Sequence, residues 1–368
     1  MSAPGIVYGK LIREMQKTCD ISIICPSISN DFDVKVKRLP CQPCKKYNFR
    51  IERLLFRYLG KNVSDGNWAR DVFNLNKDFC ETECYDGIIS FTSCYNFASL
   101  YLGRLLAEYL KTKWIIYSVD AIPAPLDWNP DVRQYNNIIK QLRKIIVGAD
   151  AFFAANPIML QYELGLFGTF NGNTGVVLTP HNNTVNKNTV EHSGVSFLYT
   201  GNIYGPRKVD SLVEAFAIFS KVHPDSKLTF VGRFFCTISD QYKYLVDEER
   251  IIFHGFTEKI APYYDCADVL IDIAAIHPND VFLSSKIVNY LPIKKPIIAI
   301  SGDNSPVRAL FGGIPTILQC HHDVEEVYDA MCRSVNLIGG NFADRNDVLH
   351  RFAADNVVAN FLNEMKNI

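Results

Sequence analysis

Short apolar runs alternate with amphipathic segments along this chain, and the alternation starts over once near its middle. Residues 20–25, 87–91, 114–117 and 151–155 have the length and composition of buried strands, while residues 7–18, 49–59, 96–111 and 131–147 carry apolar side chains at helical spacing. Strands that alternate with helices specify a parallel sheet covered on both faces, because parallel neighbours need a crossover and its helix packs back onto the sheet. After Thr179-Pro180, residues 181–194 are polar and rich in Asn and Thr, which marks a linker. The pattern resumes at Ser196, with strands expected at 197–200, 228–231, 251–253, 269–273, 296–300 and 316–319, and helices at 210–221, 260–265, 285–291 and 305–310. Length agrees, since 368 residues exceed what one hydrophobic core usually holds. Two α/β, doubly wound domains are expected, at residues 1–185 and 186–346, with a terminal helix within 347–368 that packs back toward the first.

The beginning of the chain breaks this pattern. A doubly wound domain opens with a buried strand that feeds a glycine-bearing loop, whereas Met1-Ser2-Ala3-Pro4-Gly5 leads almost directly into a helix. The loop is expected at Gly5, and its strand is missing. Either the true start lies upstream, which is the expectation here, or the sheet lacks a central strand and its neighbours keep unpaired backbone groups.

Composition excludes a few classes. A hydrophobic content of 48% with a net charge of −1 gives no basic excess for nucleic acid, so no nucleic-acid partner is expected. No run of about 18 apolar residues and no signal-peptide pattern is present, so a cytoplasmic location is expected. The 11 cysteines are an odd number, and Cys25, Cys236 and Cys266 sit in strand-like or helix-like runs, as reduced thiols do. Cys41 and Cys44 form CxxC, and Cys80 and Cys84 form CxxxC, but the second spacing is poor for zinc and no glycine-rich knuckle follows either pair. Structural thiols are therefore expected, and no metal site.

The stretch from Phe197 to Lys208 carries the chemistry. An apolar strand runs into Gly201-Asn202, then into Arg207-Lys208, and residues 209–219 follow as an amphipathic helix. Such a loop offers free backbone N–H groups and cations to a diphosphate. Cations at a helix start oppose the helix dipole, so two of them there favour an anion-binding role over mere solvation.

Together these features resemble the GT-B glycosyltransferases, and specifically glycosyltransferase family 4. Gly201, Arg207 and Leu212-Val213-Glu214-Ala215-Phe216 match the start of that family's second domain. Phe253-His254-Gly255-Phe256 followed by residues 263–270, and residues 283–299 around Ser285-Lys286, match two further stretches. The resemblance implies two Rossmann-like domains facing across a cleft, the first on the acceptor side and the second binding a nucleotide sugar. It implies that Arg207 and Lys208 hold the donor diphosphate, that Ser285 and Lys286 approach its phosphates, and that His254 to Thr257, Phe256 included, line a base pocket. His254 itself reads more readily as a packing residue than as a catalyst. The ribose position is Asn289 where the family has Glu, and Val281 stands at the partner glutamate's position, beside Asp280. In the first domain, residues 114–120 are similar to the family strand that ends in His-Asp. Val119 replaces the His and Asp120 remains, as a sugar contact or as a turn cap before Ile122-Pro123. Gly5 corresponds to the glycine turn where acceptor and diphosphate approach the backbone.

Between residues 35 and 61, nine cations oppose Glu52 alone, and Arg50, Arg53, Arg57 and Lys61 recur at three- and four-residue steps among Ile51, Leu54, Leu55 and Tyr58. This is a basic amphipathic helix. It reads either as a core-facing helix with a solvated cationic face or as a dock for anionic lipid, which would place the protein at the inner face of a membrane.

The function this implies is transfer of a sugar from a nucleoside diphosphate sugar, a co-substrate rather than a cofactor, to a glycan or glycolipid hydroxyl. The resemblance adds retention of configuration, metal independence and a place in bacterial-type surface polysaccharide synthesis. The alternative is a catalytically weak or inactive GT-B-like scaffold subunit, favoured by Asn289 and Val119. A nicotinamide-dependent dehydrogenase is disfavoured, because no G-x-G-x-x-G opens either domain.

Overall fold

A computed structural model describes residues 3–25, 36–41, 49–60, 62–93, 97–128, 131–182 and 193–368. The chain divides into two compact units, Met1–Pro180 with Ala354–Ile368, and His181–Ala353.

The first unit begins with helix α1 (Ala3–Met15), then β1 (Ser22–Ile23), β2 (Lys37–Arg38), α2 (Phe49–Leu59) and α3 (Val63–Thr82). It continues through β3 (Gly87–Ser93), α4 (Ala98–Leu110), β4 (Lys113–Asp120), α5 (Val132–Ile145), β5 (Ala151–Ala154), α6 (Pro157–Phe167) and β6 (Asn173–Val176). Strands β3 to β6 form a parallel sheet in chain order. Trp114 to Tyr117 of β4 are almost wholly buried, as a strand covered on both faces requires. Gly103 lets α4 approach that sheet closely, since a Cβ there would collide with Ser90 Oγ. Asn156 caps α6 by accepting from the Met159 N–H, and Pro157 starts the helix without a lost hydrogen bond.

Two sequence expectations fail here. Gly5, expected in a loop, lies in the first turn of α1, because the helix already begins at Ala3. Of residues 20–25 only Ser22–Ile23 form a strand, which pairs with Lys37–Arg38 and not with the main sheet.

The second unit runs β7 (Ser196–Thr200), α7 (Asp210–Val222), β8 (Lys227–Val231), α8 (Lys243–Asp247), β9 (Ile251–His254), α9 (Ala261–Cys266) and β10 (Val269–Ile273). Then come α10 (Ser285–Tyr290), β11 (Ile297–Ile300), α11 (Pro306–Phe311), β12 (Ile317–Cys320), α12 (Val324–Val335) and α13 (Asn346–Arg351). Its six parallel strands have the order β12-β11-β10-β7-β8-β9. The first strand is thus central, and the order reverses between β7 and β10. Ligands of doubly wound sheets bind at that switch point, outside the carboxyl ends of the strands.

The stretch expected as one terminal helix is two. It breaks at Phe352, which is fully buried and packs 5.6 Å from Phe311. The last helix, α14 (Ala354–Lys366), belongs to the first unit, where Phe361 packs against Tyr117 and Phe153 with ring centroids 6.2 and 5.1 Å away.

Candidate active site at the second unit's switch point

The loop after β7 is shaped by two close glycines. Gly201 adopts φ +116°, Gly232 adopts φ +141°, and a Cβ on Gly232 would strike the Gly201 carbonyl. Beyond Gly201, the Asn202 side chain accepts from the Arg233 N–H at 3.0 Å, and the Ile276 N–H donates to Pro206 O at 2.9 Å. The loop is therefore tied to β8 on one side and to the segment after β10 on the other. Asn202 acts here as a brace for the loop.

Arg207 and Lys208, adjacent in sequence, part company in space. Arg207 is 8% exposed, with its guanidinium carbon 5.5 Å from the Tyr204 ring centroid, whereas Lys208 is exposed. Only Arg207 is held in a fixed position by packing.

Opposite the loop, Tyr290 of α10 accepts from the Thr200 N–H at 3.0 Å and bonds its hydroxyl at 2.7 Å, which docks α10 against the end of β7. Lys286, one helical turn earlier on the same face, then lies directly on Gly201. A Cβ at Gly201 would collide with the Lys286 side chain, and Lys286 Nζ is 5.5 Å from the Tyr199 ring. Burial pushes the Lys286 ammonium down from the ordinary lysine value to about 7, Arg207 adds to the shift, and Asp272 opposes it. The fold thus sets two cations close together at the end of β7, with the Asp272 carboxyl near Lys286.

Ser284 caps α10, accepting from the Lys286 N–H at 3.3 Å while donating to Asp272 Oδ1 at 2.6 Å. Asp272 is buried, and its Oδ2 has no hydrogen-bond partner among the described residues. Sequence reasoning missed Asp272, Ser284 and Tyr290. A signal for Asp272 was present, because it is the only charge in the buried run Val269-Leu270-Ile271-Asp272-Ile273.

The other expected residues spread around this centre. Ser285 is exposed at the first position of α10, which is only six residues long, so the attraction for an anion comes from Lys286 and Arg207 rather than from a long helix. Asn289 Oδ1 accepts from the Asn182 N–H at 3.0 Å, so this side chain braces the linker end. Val281 is buried, and Asp280 accepts from the Phe282 and Ala275 N–H groups while burial pushes its carboxyl upward. His254 and Phe256 are exposed at the end of the sheet-edge strand β9, with the His254 ring 5.1 Å from Tyr263 and its carbonyl accepting from the Gly232 N–H. Lys295, in the matched stretch, is structural. It donates to the carbonyls of Tyr264, Asp265 and Ala267, at the C-terminus of α9.

Asp120 and Gly5 belong to the first unit. Asp120 ends β4, where Val119 is buried and Ser118 Oγ donates to the Asp120 carbonyl at 3.1 Å. The same hydroxyl oxygen lies 2.8 Å from Glu163 Oε1, which accepts from the Ile122 N–H at 3.0 Å. Glu163 is fully buried, and burial pushes its carboxyl up to about 8. It is the only charge in Pro157–Phe167, a signal that sequence reading passed over.

For the cysteines, Cys44 lies outside the described residues, Cys80 is buried in α3 and Cys84 is exposed. Burial pushes the Cys41 thiol up to about 11.

Comparison with solved structures covers the whole chain. A glycosyltransferase from Rickettsia africae ESF-5 superposes with a TM-score of 0.69 at 15% identity, covering 100% of this chain and 96% of that one. Anabaena Alr3699/HepE in complex with UDP and glucose gives 0.64 at 11%, and the apo lipopolysaccharide outer core galactosyltransferase WaaB gives 0.64 at 13%, each with coverage of 100% and 96%. At these identities the likeness carries the GT-B fold. Residues 194–336, which hold the whole cationic site, match the model of the family described as Glycosyl transferases group 1. The chain is a GT-B glycosyltransferase. No curated protein matches this glycosyltransferase in sequence.

Proposed function

We propose that this glycosyltransferase, a member of family 4, moves a sugar from a nucleoside diphosphate sugar to a hydroxyl of a glycan or glycolipid in bacterial-type surface polysaccharide synthesis. The observation that carries the reading is the pairing of Lys286 with Gly201 beside buried Arg207, at the switch point of the second sheet. In the reaction the bond from the anomeric carbon to the phosphate oxygen breaks, and its electron pair leaves on the diphosphate. The acceptor oxygen bonds to that carbon and passes its proton to the departing diphosphate oxygen. Negative charge grows on the leaving diphosphate, and the preorganised cations Arg207 and Lys286, with Lys208 at the rim, stabilise it more in the transition state than in the bound donor. We assign them the electrostatic task that a metal ion performs in other transferases, with retention of configuration. In this reading His254 and Phe256 border the base, Ser285 and Asn289 lie along the phosphate–ribose side, and Asp120 contacts the sugar.

Asn289 in place of a glutamate, with its Oδ1 already engaged by Asn182, supports the second reading of a weakly active or inactive nucleotide-sugar-binding subunit. One experiment separates the two. Thermal stability is measured with UDP, GDP, ADP, CMP and their sugar conjugates, and release of diphosphate is then followed with a hydroxyl acceptor. Stabilisation with turnover supports the transferase, stabilisation without turnover the scaffold, and no stabilisation by any nucleotide removes both.

Helix α2 extends the proposal to the inner face of an anionic membrane. Ile51, Leu54, Tyr58 and Leu59 are more than half exposed along it, beside exposed Arg50 and Arg57. Lys35, Lys45, Lys46, Lys61 and the Arg53 side chain lie outside the described residues. No helix among the described residues is long and apolar enough to cross a membrane. Sedimentation with phosphatidylglycerol vesicles that weakens as salt rises is the expected result. Equal binding to phosphatidylcholine would refute the electrostatic part.

A further inference from the structure

The end of β4 that carries Asp120 departs from its ladder. It pairs with β5 only as far as Ser118, opposite Ala154. On the other side its register with β3 slips, Thr92 facing Ser118 and Ser93 facing Asp120, so that Val119 is the extra residue. A bulge of this kind re-aims the side chain that follows and leaves the backbone there to be held by other groups. Those groups come from α6. Glu163 Oε1 accepts from the Ile122 N–H at 3.0 Å and lies 2.8 Å from Ser118 Oγ, which is itself 3.1 Å from the Asp120 carbonyl. The neighbouring Tyr162 hydroxyl donates to Pro123 O at 3.1 Å.

The Ser118 hydroxyl has one proton and faces two acceptors, the Asp120 carbonyl and Glu163 Oε1. When Glu163 is ionised, its carboxylate takes that proton and the Asp120 carbonyl goes without it. When Glu163 is protonated on Oε1, the acid donates to Ser118 Oγ, and Ser118 donates on to Asp120 O. Oε1 then keeps a lone pair for the Ile122 N–H, and every one of these contacts is satisfied.

The surroundings favour the protonated form. Glu163 is fully buried, and its Oε2 has no hydrogen-bond partner among the described residues, which penalises a carboxylate more than an acid. On α5, Tyr135 meets the Tyr162 hydroxyl, and Arg143 is bound to the Leu166 carbonyl further along α6. Tyr117, on the other face of β4, packs on Phe91 and Phe361. Strands β5 and β6 carry no titratable side chain. The charge that bears on Glu163 is Asp120, a like charge, and burial with Asp120 holds the Glu163 carboxyl at about 8.

We propose that Glu163 is a positioning residue for Asp120 and acts as a proton-controlled latch: as the neutral acid it fixes the Asp120 carbonyl through Ser118, and as the carboxylate it claims the Ser118 proton and frees that carbonyl. Its bearing on transfer rests on the reading above in which Asp120 contacts the sugar. Glu163 loses its proton to solvent as pH rises, so the latch is closed below the midpoint and open above it.

The test follows the carbonyl carbon shift of Asp120 by NMR from about pH 6 to 10, with the Glu163 carboxyl carbon as the marker of its own titration. Both signals are expected to move with one midpoint. In Ser118→Ala, Glu163 should still titrate while the Asp120 carbonyl stays flat, and Glu163→Gln should flatten it as well. Turnover at saturating donor, using the sugar conjugate of UDP, GDP, ADP or CMP that stabilises the protein, should fall about fivefold across the same midpoint, the worth of one hydrogen bond. Both variants should lose that step. Saturation keeps Lys286 charged and so out of the profile. An Asp120 carbonyl that stays flat while Glu163 titrates, or a carbonyl step that survives Ser118→Ala, overturns the proposal. A carbonyl step with a flat turnover profile upholds the latch and removes Asp120 from the sugar.

Discussion

Lys286 makes donor binding depend on pH in a way that can be worked out in advance. In the free protein its ammonium is held at about 7 by burial and by Arg207. A diphosphate placed against both cations favours the charged form and returns the value toward the ordinary 10.5. Binding then takes up a proton wherever the free lysine is neutral and the bound one charged, which is the window from about pH 7 to 10.5. The association constant therefore falls as pH rises through that window, by up to tenfold per unit. Between pH 7 and pH 9 the loss is about 50-fold, or about 2.3 kcal/mol, if the bound value is fully restored. Titration calorimetry with UDP at pH 7, 8 and 9, in buffers of different ionisation enthalpy, reads both the affinity and the proton count. Lys286→Met, checked for folding, should bind more weakly at pH 7 and lose the slope. An affinity that is flat from pH 7 to 9, or a slope that survives in Lys286→Met, would refute the reasoning.

Three further outcomes follow from the same geometry. Arg207→Ala should weaken UDP or GDP binding by about 1.5–3 kcal/mol, the worth of a charged hydrogen bond, and unchanged affinity in a folded variant removes Arg207 from the site. Gly201→Ala puts a Cβ into Lys286 at a backbone φ of +116°, so it should lower Tm and nucleotide affinity together; loss of neither would show that the close approach is dispensable. Glu163 has a folded value near 8 against an ordinary 4.5, so the folded state holds its proton longer and stability falls as pH rises from about 4.5 to 8. Denaturant titrations of Glu163→Gln should show a shallower decline over that range, and an unchanged decline would assign it to other groups.

Much of this architecture is written in local pattern. The apolar run of β10 and the helical spacing after Val209 mark buried elements through covalent spacing alone, because side-chain direction repeats every two residues in a strand and every 3.6 in a helix. The Gly201 turn and its cations were legible for the same reason. Pattern could not separate Arg207 from Lys208, since burial of one and exposure of the other depend on Tyr204 and the ties to Arg233 and Ile276. Nor could it tell that Asn289 reaches back to the linker, or that Gly5 lies inside a helix.

The sequence by itself determined two α/β units and the loop on which an anion can settle, because those features follow from neighbours along the chain. Only the tertiary structure decided that Lys286 rests on Gly201 and that Asp272 holds Ser284. Each of these rests on strand order in a sheet, which distant segments settle by burying their apolar faces against one another, and no local period records that choice.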